Sequence, residues 1–145
     1  MWGILITILS GALMSIQGVF NAGVTKETNI WLSSSFVQLT AFIVCVSGWL
    51  FTGHQSSIGA LFQVEHKYML LGGVLGAAIT FTVIKSMNLL GPAKAVMLIV
   101  ISQLVIAYVI ELLGMFGVEK VAFDFKKLLG VALAIGGIIL FKWEK

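Results

Sequence analysis

The chain has 145 residues, of which 59% are hydrophobic and only 10% charged, with 9 Lys+Arg against 6 Asp+Glu for a net charge of +3. A soluble domain carries about a quarter of its residues as charge, so a mean hydropathy of +1.08 excludes that class and points to a chain solvated by lipid. The one cysteine, Cys45, lies within an apolar run, which excludes an intrachain disulfide framework and a thiolate metal site.

A bilayer core of about 30 Å is crossed by roughly 20 apolar residues at 1.5 Å per residue. Residues 2–21 form the first such run. They lack the basic start and the small-residue cleavage site of a secretory signal, so they are read as a retained span. The second run, 30–51, has Trp31 and Trp49 near its ends, about 18 positions or roughly 27 Å apart, which fits two interfacial aromatic belts. Runs three and four cover 68–90 and 95–114, and the shortest covers 128–143. Trp2 and Trp143 anchor the outer ends, and Lys142, Glu144 and Lys145 supply the final polar stop. Between the runs lie polar or glycine-rich breaks at 26–29, 54–67, 91–94 and 117–127. The expected fold is an all-α membrane protein, a single transmembrane domain of five helices.

An odd number of spans puts the termini on opposite faces. The amino-terminal face then holds Lys67, Lys120, Lys126 and Lys127, and the other holds Lys26, Lys94, Lys142 and Lys145, with Lys85 snorkelling there as well. Such an even distribution lets a small chain insert both ways round or pair with an oppositely oriented partner. Five thin helices enclose a solute pathway poorly, and many transporters consist of two inverted repeats. The chain is accordingly expected to be one half of an inverted-repeat dimer, beside a second copy or a homologous partner. Small residues offer packing faces within or between protomers: Gly72, Gly76 and Thr80 on the third helix, and Gly130, Ala134 and Gly137 on the fifth.

Polar groups at membrane depth are costly and therefore informative. Gln38 and Gln103 each lie about eight residues, or roughly 12 Å, inside their helices, near the midplane. Gln17 lies nearer one face, on a stripe with Ser10, Met14 and Asn21. Ser34, Gln38 and Cys45 share a second face; Gln103, Ala107 and Glu111 share a third. These faces either line one cavity, with Gln17, Asn21, Gln38 and Gln103 along a substrate pathway, or hydrogen-bond between helices as packing glue. Packing suits Ser34 and Cys45 better. Glu111 is the carboxylate most nearly within a span and a candidate for proton coupling, although its place within a turn of the helix end equally suits an interfacial structural role. Inverting a second copy would bring Glu111 to the level of Lys85, which makes an intersubunit charge pair an expectation.

The sequence lacks paired carboxylates at depth, a Ser-His-acid arrangement and a phosphate-binding glycine loop, so an enzyme is not expected. His54 and His66 lack metal-ligand spacing with a cysteine or acid, and neither a metal nor a cofactor is expected. The lysines at helix ends suit lipid headgroups, not nucleic acid.

With these features in place, the sequence resembles the five-helix bacterial YdcZ-like family of the drug/metabolite transporter superfamily. The resemblance rests on Gln17-Gly18-Val19-Phe20-Asn21-Ala22, Gly72-Gly73-Val74-Leu75-Gly76, Leu90-Gly91-Pro92-Ala93 and Ser102-Gln103-Leu104. It also rests on Glu111-Leu112-Leu113-Gly114-Met115-Phe116-Gly117 and Leu128-Leu129-Gly130, so that it covers nearly the whole chain. It implies a transporter of the bacterial cytoplasmic (inner) membrane, related to the small multidrug resistance proteins, whose members occur as dual-topology homodimers, opposed pairs or fusions. Those relatives carry a proton- and cation-binding glutamate in the first helix, where this chain offers Met14 and Gln17. An aspartate is usual at the position of Glu111, so an acid is kept there. Without the first-helix carboxylate, a small neutral or amphipathic solute suits the chain better than a cation, with Phe36, Phe42 and Trp49 available to an apolar portion. The alternatives are a non-transporting accessory subunit and a lipid translocator.

Overall fold

The structure is a computed structural model and describes residues 1–53 and 57–142, the side chain of Lys142 excepted. The sequence readings for His54, Trp143, Glu144 and Lys145 lie outside the described residues.

The described residues form helices and connecting turns, without strands. The long helices are α1 (Trp2–Glu27), α2 (Ile30–Phe51), α3 (Gly72–Leu90), α4 (Pro92–Leu113) and α5 (Phe125–Lys142). Short 3-10 segments occupy Ile58–Gln63, Lys67–Leu71 and Met115–Gly117. The chain divides into two compact units, Met1–Leu89 and Leu90–Lys145.

Helix ends follow backbone chemistry where the apolar runs do not. Helix α1 continues through Glu27, beyond the end of its apolar run at residue 21, because Lys26 suits the negative end of the helix dipole and the Thr28 hydroxyl donates to Val24 O at 2.7 Å. Only Thr28 and Asn29 then separate α1 from α2. Asn29 starts α2 as its N-cap, accepting from Leu32 N–H at 2.9 Å. Helix α4 begins at Pro92, ahead of the run at 95, since proline at the first helical position forfeits no intrahelical bond. It ends at Gly114, whose φ of 65° closes the helix in the left-handed conformation. Helix α5 opens at Phe125, where Asp124 Oδ1 accepts from Lys126 N–H at 2.8 Å.

Among the described residues, four helical segments are long and apolar enough to cross a membrane: Trp2–Glu27, Ile30–Phe51, Lys67–Leu90 and Pro92–Leu113. Helix α5 has 18 residues, about 27 Å at 1.5 Å per residue, but Lys126, Lys127 and Lys142 shorten its apolar part.

In the first unit α1 packs on α2, and the buried Ser33 hydroxyl donates to Asn21 O at 3.3 Å. Helix α3 meets α1 at Gly18, where an added Cβ would overlap the terminal methyl of Met87 and lie 2.7 Å from its sulfur. Against α2, α3 places Phe81 on Trp31, with ring centroids 4.9 Å apart and planes inclined by 37°.

Met87 is flexible, so Gly18→Ala should cost about 1 kcal/mol, whereas the bulk of Gly18→Leu should cost roughly 1–3 kcal/mol by overpacking. Thermal melting in detergent is expected to rank parent, alanine and leucine in that order, with Met87→Ala partly rescuing leucine. A leucine variant that melts like the parent would show that α1 and α3 do not meet at Gly18.

Candidate solute-binding grooves and a helix clasp

Helix α2 has a groove on each side. The α1/α2 groove, about 550 Å³, is lined by Gln17, Asn21, Ser33, Phe36, Thr40 and Cys45 among others. The α2/α3 groove, about 530 Å³, is lined by Trp31, Ser34, Ser35, Gln38, Ala77, Ala78, Phe81 and Thr82. Among the described residues, neither lining contains a carboxylate or a cationic side chain.

The threonine hydroxyls and the amides in these grooves are satisfied differently. Thr40 donates to Phe36 O at 3.0 Å and to Val37 O at 2.9 Å, while Thr82 donates to Ala78 O at 2.8 Å. The longer amide side chains of Gln17, Asn21 and Gln38 make no hydrogen bond among the described residues. Gln38 Nε2 lies 3.6 Å from where a Cβ on Gly76 would stand, an ordinary van der Waals distance, so the amide lies against α3. The Ser34 hydroxyl is buried and also without a hydrogen-bond partner. Lys85 is exposed, and its Nζ stands 6.0 Å from the Phe81 ring centroid.

Gln17 and Asn21 thus share one groove and Gln38 lines the other. Gln103 belongs to the second unit, on α4, where it is exposed and makes no hydrogen bond among the described residues. A Cβ at Gly72, Gly130 or Gly137 would meet nothing within 4 Å, and Ala134 is exposed. Sequence reasoning placed Trp31 in an interfacial belt and missed its pairing with Phe81, for which local sequence carries no signal.

Glu111 lies in a clasp between α4 and α5. Lys127 Nζ donates to its Oε2 at 3.3 Å, with both side chains nearly half exposed, and Val121 N–H donates to Glu111 O at 3.0 Å. Beside it, the Tyr108 hydroxyl accepts from Asp124 N–H at 3.1 Å and donates to Asp124 O at 3.3 Å. Lys127 Nζ also lies 5.7 Å from the Tyr108 ring centroid. Glu111 therefore has a partner in its own chain.

The fold and grooves define a helical integral membrane protein. The family model described as "Putative inner membrane exporter, YdcZ" matches residues 2–140, and the chain belongs to that family. It is accordingly an inner-membrane protein of a transporter family, not one described as enzymes. Searches of curated proteins and of solved structures gave no match.

Tyr108→Phe removes two partly buried hydrogen bonds and should weaken docking of α5 by about 1–3 kcal/mol. Glu111→Gln breaks a half-exposed, solvent-screened ion pair and should cost only about 0–1 kcal/mol. Limited trypsin cleavage at Lys120 is expected to accelerate more in Tyr108→Phe than in Glu111→Gln. The reverse order would mean that the ion pair, and not the tyrosine, holds the clasp.

Proposed function

We propose that the chain is one half of an exporter for a small neutral or amphipathic solute. Two inverted copies, or this chain and an oppositely oriented homologue, surround a pathway that opens alternately to the two faces. Helix α5 is the fifth span, so the termini lie on opposite faces. Membrane lipids surround the assembly.

The observation that carries this reading is the set of unpartnered amides, Gln17, Asn21 and Gln38, along grooves otherwise rich in apolar and aromatic groups. An amide donates and accepts, so it can hold an uncharged polar group, while Phe36, Trp31 and Phe81 cover an apolar body. A bare cation would find no carboxylate in either lining to compensate its desolvation. The in-chain partner of Glu111 favours an interfacial structural role for that acid.

Cells expressing the chain are expected to release the neutral dye Nile red faster than empty cells, with little change in release of cationic ethidium. Gln17→Leu and Gln38→Leu should each reduce Nile red release about fivefold or more, the equivalent of roughly 1 kcal/mol, at unchanged membrane abundance. Ethidium export in preference to Nile red would contradict the substrate class. Glutamine variants that assemble poorly yet transport normally per assembled protein would favour amide packing. Selective movement of fluorescent lipids according to headgroup would favour a lipid translocator.

A further inference from the structure

Among the described polar side chains of α4, Gln103 alone lacks a partner. The Ser102 hydroxyl donates to Leu98 O at 2.9 Å, Tyr108 engages Asp124, Glu111 engages Lys127, and Lys94 is also engaged. Gln103 is exposed on the protein surface, and no residue in the most apolar stretch of α4 is buried. The bilayer core supplies no partner to an amide facing hydrocarbon, which leaves the Gln103 amide open to a partner from a second copy.

Its position narrows that partner. Helix α4 covers Pro92–Leu113, 22 residues, so its midpoint falls between Ser102 and Gln103. In a pair of inverted copies the two-fold axis lies in the membrane plane, and a residue above the midplane meets one equally far below it. Only a residue at the midplane can meet itself. Gln17 and Gln38 each stand about 4 Å from the midpoints of their helices, whereas Gln103 is within about one residue rise of its own. Its amide is also self-complementary, since each copy can donate N–H to the other's carbonyl oxygen.

We propose that α4 crosses α4 of a second, inverted copy at Gln103, where the two amides hydrogen-bond each other across the axis. This rests on the inverted-dimer reading above and adds the helix and residue on which the dimer closes.

The test uses full-length chain in native membranes, in a Cys45→Ser background, with copper-phenanthroline oxidation. Gln103→Cys should form a disulfide-linked dimer. Ile99→Cys and Ala107→Cys, one turn to either side on the same face, should each fail to link to itself but should link to each other when co-expressed. Gln103→Leu, with its cysteine-free helix face intact, should weaken the dimer in detergent roughly tenfold. Self-linking of Ile99→Cys and of Ala107→Cys without cross-linking between them would overturn the proposal in favour of a parallel pair. No Gln103→Cys dimer, together with unchanged affinity in Gln103→Leu, would overturn the α4 contact. In that case, terminal labelling that still shows both orientations would leave the inverted dimer standing on another helix.

Discussion

The constraint on which the structure depends is that hydrocarbon offers no hydrogen-bond partners, so each polar group at depth must be satisfied by protein or by something the protein carries. Several short hydroxyl side chains meet it locally. Thr7, Ser15, Thr40, Thr80, Thr82 and Ser102 each donate to the carbonyl four residues back on the same helix. Gln17, Gln38 and Gln103 make no such bond, and each lies within a span otherwise suited to lipid. In the proposed function this free hydrogen-bonding capacity links fold to activity, with a solute for the amides that line grooves and a second copy for the amide at the middle of α4.

The two units handle polarity in different ways. In the first, the absence of a side chain at Gly18 admits Met87, while grooves flank α2 and Gln38 lies beside Gly76. In the second, polar groups are paired off at one end of the hairpin, where Tyr108, Glu111, Asp124 and Lys127 tie α4 to the start of α5. Glu111 holds a lysine of its own chain, whereas the amides have no partner among the described residues.

Much of the architecture was legible in the sequence because apolar length is a strong signal. The second run and α2 share the same bounds, since Asn29 both breaks the apolar pattern and caps the helix. Elsewhere apolarity reported the bilayer while the helix obeyed its own end rules: Lys26 and Glu27 remain helical, and Pro92 is a good first residue. Of the stripe Ser10, Met14, Gln17 and Asn21 that follows from helical periodicity, Gln17 and Asn21 line one groove, and Ser10 and Met14 are not in its lining. The contacts of Trp31 with Phe81, Gly18 with Met87 and Glu111 with Lys127 were not legible. Each joins residues distant in sequence, and hydropathy records how apolar a residue is, not which residue it touches.

Labelling both termini in native membranes tests the central claim most directly. Single cysteines at either end of a Cys45→Ser chain would be exposed to an impermeant thiol reagent. The account expects each terminus to label to about half, because an even lysine distribution permits insertion in both orientations and the Gln103 amide is proposed to pair with an inverted copy. Complete labelling of one terminus and none of the other would contradict a homodimer of inverted copies.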